Sequence, residues 1–169
     1  LVKGIKIDGA ITISDNAVIS VTTTGAGGEG IASKTNINIT GGQVTVNASD
    51  DAINASYSDD TKGTSGAGDL TVSGGYVYAR STGSDGIDAN GNCYIKGGVV
   101  YAIGTTSPEV AIDANSEEKK KLYVSGGTII ASGGLESGAS LSQSCYSTNS
   151  WSKNAWYALT VGSETIALL

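Results

Sequence analysis

Five stretches of the chain repeat one order of apolar and polar positions. Each opens on a small residue followed by isoleucine: Gly4-Ile5, Gly30-Ile31, Ala52-Ile53, Gly86-Ile87 and Ala111-Ile112. An apolar-polar-apolar triplet comes next, as Ile11-Thr12-Ile13, Ile37-Asn38-Ile39, Leu70-Thr71-Val72, Cys93-Tyr94-Ile95 and Leu122-Tyr123-Val124. A third apolar step (Val18, Val44, Val77, Val100, Ile129) stands 5 positions beyond the end of each triplet. Such short alternating runs predict half-buried strands, and no helical spacing occurs.

The constant separation of triplet and third step demands a turn of one shape. Four copies place Gly-Gly there (Gly41-Gly42, Gly74-Gly75, Gly97-Gly98, Gly126-Gly127), and the first places Asp15-Asn16, residues that tolerate positive φ. A unit of three short strands cannot bury its own apolar face, so it must stack on its neighbours. The pattern predicts an all-β, right-handed parallel β-helix of about five to six rungs. Three internal ladders result: Ile5, Ile31, Ile53, Ile87 and Ile112; Ile13, Ile39, Val72, Ile95 and Val124; and Val18, Val44, Val77, Val100 and Ile129. Val46, Ala79, Ala102 and Ala131 follow the third ladder two residues on. Rungs are expected over residues 1–135, with a cap over 136–169, where Trp156 to Val161 and Thr165 to Leu169 read as a closing hairpin or last partial rung. Trp151, Trp156, Tyr146 and Tyr157 are expected to close that end of the core. A leucine-rich repeat would need an Asn or Cys ladder and a helical return, and a sandwich would make five equal registers an accident.

Composition narrows the chemistry. The 169 residues include 25 Gly and no His, which excludes Ser-His-Asp and Cys-His catalysis and histidine metal sites. A net charge of -6 argues against nucleic acid and anionic bilayers and favours cations. No apolar run of spanning length exists, so no membrane insertion is expected. The chain starts at Leu1 with neither a basic n-region nor an apolar h-region, as expected of a fragment or of a mature domain whose targeting segment has been removed. Cys93 and Cys145 make no framework; both are expected as buried thiols, with a disulfide between them left open.

Set in register on the first ladder, the acids form columns. Glu29, Asp51 and Asp85 stand two positions before it, Asn54, Asp88 and Asp113 one after, and Asp50, Ser84 and Glu109 three before. Stacked rungs lie about 4.8 Å apart, so Asp51 over Asp85 and Asp88 over Asp113 are like charges costing on the order of 1 kcal/mol even in bulk water. Either their pKa values rise or a cation sits between them, and hard oxygens at this spacing suit Ca²⁺. The bland alternative is that these acids are merely solvated corners. Ala52, Gly86 and Ala111 between the columns are expected to leave a shallow notch for a cation or sugar. Longer connections, from Ile53 to Leu70 and from Ile112 to Leu122, leave the body beside the columns, and the first carries Asp59, Asp60 and Lys62.

Tyr76, Tyr78 and Tyr101 face outward on the third strand, Tyr94 and Tyr123 on the second, as stripes that suit sugar faces or simply stack on one another. Arg80, Lys96 and Lys62 are the bases a uronate lyase would draw on; Arg80 and Lys96 fall on other faces from the acids. Lys119-Lys120-Lys121 after Glu117-Glu118 reads as a solvated loop tip.

The run Ser49-Asp50-Asp51-Ala52-Ile53-Asn54-Ala55, its echo Ser84-Asp85-Gly86-Ile87-Asp88-Ala89, and the recurrent Leu/Val-x-Val-x-Gly-Gly-x-Val step carry a resemblance. Over roughly Lys3 to Leu135 the chain resembles the secreted bacterial carbohydrate-binding β-helix family, which is distantly similar to calcium-dependent pectate lyases. The resemblance implies calcium at the aspartate-rich turns, with Asp50, Asp51, Asp85, Asp88 and Asp113 as ligands, and a plant cell-wall polysaccharide such as polygalacturonate or cellulose as partner. It does not imply an active lyase, and Val110 stands where the column would place another acid.

The expectation is therefore an extracellular or cell-surface, non-catalytic polysaccharide-binding module. Metal ligands are expected among Asp50, Asp51, Asn54, Asp85, Asp88, Glu109 and Asp113, and sugar contacts among Asp59, Asp60, Lys62, Tyr76, Tyr78, Arg80 and Tyr101. The alternatives are a calcium-dependent lyase with Lys62 or Arg80 as base, and a surface spacer without a sugar site.

Overall fold

The computed structural model describes every residue except Leu1, Trp151, Lys153 and Leu169. The first pass of the chain contains β1 (Ile5–Ile7), β2 (Ile11–Ile13) and β3 (Val18–Thr22), and the second β4 (Ile31–Ser33), β5 (Ile37–Ile39) and β6 (Gln43–Ala48). The third contains β7 (Ile53–Ala55), β8 (Leu70–Val72) and β9 (Tyr76–Ser81), and the fourth β10 (Ile87–Ala89), β11 (Cys93–Ile95) and β12 (Val99–Ile103). The fifth has β13 (Leu122–Val124) and β14 (Thr128–Ser132), preceded by Ile112, which bridges Ile87. A sixth begins at Leu135, which bridges Ile112, and continues into β15 (Ser140–Leu141), paired with β13. The antiparallel hairpin of β16 (Ala158–Val161) and β17 (Glu164–Leu168) ends the chain. Among the described residues the only helical turn is the 3₁₀ segment Ser116–Glu118.

Strands of equal rank pair in parallel, giving sheets ordered β1-β4-β7-β10, β15-β13-β11-β8-β5-β2 and β14-β12-β9-β6-β3. The molecule is thus all-β with three parallel sheets, an arrangement compatible with a solenoid. The first two predicted ladders pair as expected: Ile5 to Ile31 to Ile53 to Ile87, and Ile13 to Ile39 to Val72 to Ile95 to Val124. Their inner members have no solvent exposure, so isoleucine on isoleucine forms the continuous core that removes each pass's apolar face from water.

The third ladder needs a correction in its first pass. Val18 pairs with Gln43 and is 77% exposed, while Ile19 takes the inward place opposite Val44. The first turn is one residue longer than the others and turns on Asp15 (φ 56), and a one-residue slip exchanges the two faces of a strand. The Gly-Gly turns are shorter because both glycines are needed. Gly75 has φ 81, and a Cβ on Gly74 would lie 2.4 Å from the carbonyl oxygen of Thr40 in the preceding pass.

The C-terminal expectations also change. Trp156 and Tyr146 are 85% and 83% exposed and close no core; Trp151 lies outside the described residues. The hairpin forms, up to Leu168, but pairs with none of the three sheets, because the sixth pass is already supplied by Leu135 and β15. Tyr157 is half-buried and lines, with Tyr101, Ile130 and Ser132, a cleft beside β14. Cys93 is a buried free thiol, but Cys145 is exposed on the polar tail and also free.

Candidate functional site

The acidic columns form along the sheet of β4, β7 and β10. Asn54 and Asp88 are direct partners in register, and Asp113 follows Ile112 in the next pass. Their side chains alternate with the inward Ile and Ala of each strand. The Asn54 amide nitrogen donates to Oδ2 of Asp51 at 2.9 Å and to Oδ2 of Asp88 at 3.0 Å. Asp51 Oδ1 accepts the backbone N–H of Asp85 at 3.2 Å, and Asp85 Oδ1 accepts that of Val110 at 2.5 Å. Asp51 and Asp85 therefore each cap the equivalent backbone donor one pass further on. Backbone N–H groups are a form of compensation that residue spacing did not foresee, and Val110, where no acid stands, ends the series as donor.

Asp85, Asp88 and Asp113 are brought together, each offering a carboxylate oxygen within 4.8 Å of the others. Burial, with Asp51 and Glu109 adding repulsion against the favourable Val110 N–H, pushes the Asp85 carboxyl up to about 7. Burial and the charges of Asp51 and Asp85 push Asp88 up to about 8. Burial, a side-chain hydrogen bond with Glu136 and the charge of Asp88 push Asp113 up to about 9. Near neutral pH and without a counter-ion, this cluster therefore retains protons that ordinary aspartates have lost. The buried Oδ1 of Asn54 has no hydrogen-bond partner.

The other expected ligands are spread more widely. Glu109 accepts from the Ser84 hydroxyl at 3.4 Å, beside Asp85 but outside the three-acid group. Asp50 also stays outside it; burial and then Asp51 and Glu29 raise its pKa. Glu29, at the start of its column, is ion-paired with Lys3. Glu136 is the residue that sequence reasoning missed. Gly134-Leu135-Glu136 repeats Ala111-Ile112-Asp113, but the surrounding Ser-rich segment hides the sixth pass.

The small residues between the columns leave no notch. Ala52 and Ala111 are fully buried, and a Cβ on Gly86 would lie 2.7 Å from the Ala111 carbonyl oxygen. These positions point inward, so small size serves packing between passes rather than access. The long connections meet each other: Lys62 Nζ lies 3.3 Å from Glu118 Oε1 and 5.5 Å from the Tyr57 ring centre, and the Tyr57 hydroxyl donates to the same Glu118 oxygen at 3.2 Å. Lys62 ties two loops, while Asp59 and Asp60 are exposed at the tip. Lys119, Lys120 and Lys121 follow the 3₁₀ turn as a polar loop, with Lys119 in the left-handed region.

Tyr76, Tyr78, Arg80 and Tyr101 lie apart from the acids, on the outer face of β9 and β12. Tyr78 and Tyr101 meet edge to face at 5.4 Å, and on the neighbouring sheet Tyr94 and Tyr123 stack at 5.2 Å with Lys96 over Tyr94. No helix among the described residues is long and apolar enough to cross a membrane.

Comparison with known proteins follows the repeats. No curated protein and no solved structure matches the chain. A family model described as carbohydrate-binding domain-containing protein matches residues 1–161, and the chain belongs to that family.

Proposed function

We propose that the chain is a non-catalytic polysaccharide-binding module of a secreted or surface protein, wound as a right-handed parallel β-helix and dependent on Ca²⁺. The observation that carries the metal is the convergence of Asp85, Asp88 and Asp113 within 4.8 Å. The donor set fits: carboxylate oxygens are hard ligands for calcium, and neither of the two ion pairs among the described residues neutralises these three. Asp85, Asp88 and Asp113 would hold the ion, with Glu136 positioning Asp113 and the unpartnered Asn54 oxygen on the same column. Bound there, the ion supplies positive charge toward carboxylates or hydroxyls of a plant cell-wall polysaccharide such as polygalacturonate or cellulose. Glu136 thereby joins the residues expected from the sequence.

A binding role suits the placement of the basic residues better than lyase chemistry. Lys62 is engaged with Glu118, and Arg80 sits on a different sheet from the acids. Thermal melting with calcium and with EDTA tests the metal: a ligand of the native state alone must raise the midpoint. An unchanged midpoint would sink the calcium reading. Glycan-array binding in calcium, together with absence of unsaturated uronide product, tests the module against the lyase.

A further inference from the structure

Of the three parallel sheets only the one holding β7 and β10 carries an acid, Asp88, at an outward strand position; the other two carry none, and one of these two holds Arg80. The outward positions of the β3-β6-β9-β12-β14 sheet run Val18, Ser20, Thr22 on the first strand, Gln43, Thr45, Asn47 on the second and Tyr76, Tyr78, Arg80 on the third. Val99, Tyr101, Ile103 and then Thr128, Ile130, Ser132 complete the face. None of these is Asp or Glu, in a chain with 16 acids. Arg80 is the only arginine, is exposed, and makes no ion pair among the described residues. A cation without an ion-pair partner, on a face without acids in a net-negative protein, is a place where an anion meets little repulsion.

Arg80 also borders a cleft. A depression of about 340 Å³ is lined by Thr22, Thr24, Asn47, Ser49, Arg80 and Thr82. Thr22, Asn47 and Arg80 are stacked partners of successive strands, so hydroxyl, amide and guanidinium face one opening. The cleft wall is held in place: the Thr23 hydroxyl donates to the Gly28 carbonyl at 2.5 Å, and the Ser49 hydroxyl to the Gly25 carbonyl. Tyr78 stands two residues before Arg80 on the same face, an aromatic surface beside the cation. Donors, a planar guanidinium and a neighbouring ring are the groups that recognise a sugar bearing an anionic substituent.

We propose that this cleft is a calcium-independent subsite for an acidic sugar residue, its carboxylate or sulfate on Arg80 and its hydroxyls on Thr22 and Asn47. The proposal rests on the polysaccharide-binding reading above but not on the metal. The test is titration calorimetry of the intact chain in EDTA with three probes: an oligogalacturonate, its methyl ester, and a sulfated galactan oligomer. Binding of an acidic probe, with the methyl ester weaker, is expected; which acidic probe binds identifies carboxylate or sulfate as the source. Arg80→Ala should weaken that binding by about tenfold or more, as expected for loss of a charge-assisted hydrogen bond, and Arg80→Lys should restore part of it. Equal binding by wild type and Arg80→Ala, or equal binding of acid and ester, overturns the subsite. Acidic probes that bind only when calcium is restored overturn it too, while leaving the calcium module standing. Silence of every probe in both conditions overturns the subsite, and the melting and glycan-array tests decide the module separately.

Discussion

Asn54 and Asp88 face each other on adjacent strands, and the asparagine amide donates to the Asp88 carboxylate at 3.0 Å. The same nitrogen serves Asp51, so one neutral side chain supplies donors to two acids that would otherwise only repel. Asn54→Ala should therefore cost about 1–3 kcal/mol, the penalty for leaving buried polar partners unmet. Asn54→Asp should cost more in EDTA and regain part of the loss in calcium. Denaturant unfolding in the two conditions measures both; equal losses with and without calcium for Asn54→Asp would contradict a cation beside this column.

The raised carboxyls set the sign of the pH dependence. Asp88 and Asp113 titrate at about 8 and about 9 in the folded chain against an ordinary value of 3.8. Between those limits the folded state binds more protons than the unfolded one. The stability of the calcium-free protein should then fall as pH rises from about 4 to about 9. Melting scans in EDTA across that range check the slope, and Asp88→Asn should flatten it.

A calcium ion held by these carboxylates, as proposed, would have to displace those protons. At pH 7, binding should release protons, visible as a calorimetric enthalpy that changes with the ionisation enthalpy of the buffer, and affinity should rise with pH. Glu136→Gln, which alters the partner of Asp113, should weaken calcium binding by about tenfold. Asp50→Asn should leave it nearly unchanged, since Asp50 lies outside the three-acid group.

The turns give a test of stacking. In Gly75→Ala the new methyl would sit 2.7 Å from the Gly41 backbone at φ 81, whereas at Gly134, φ 98, it meets nothing within 4 Å. Both substitutions carry the left-handed penalty of about 1–2 kcal/mol, and only Gly75→Ala should add a packing loss to it. Val18→Ser should change stability by less than about 0.5 kcal/mol, while Ile87→Ala should cost about 2–5 kcal/mol. Unfolding midpoints rank all four; a large loss for Val18→Ser would return Val18 to the core.

Much of the architecture can be read from spacing because each pass is local in the chain. The distance from Ile39 to Val44 or from Val72 to Val77 is covalent, and equal spacing in four of the five copies leaves stacking as the means of burying their apolar faces. The columns of Asn54, Asp88 and Asp113 follow from the same register. Val18 does not follow the spacing of the Gly-Gly turns, because the first turn lacks the glycine pair and is one residue longer. Glu136 escaped notice because its pass keeps only a fragment of the pattern.

By itself, the sequence determined the repeating strands, the inward isoleucines and the gathering of acids on one sheet, because side-chain alternation and turn length are properties of neighbours along the chain. Only the tertiary structure decided which oxygen meets which donor: Asp85 on the Val110 N–H, Lys62 on Glu118, Asp113 on Glu136. Those contacts join residues 23 or more positions apart, where a difference of one residue in a loop sets which side chains meet.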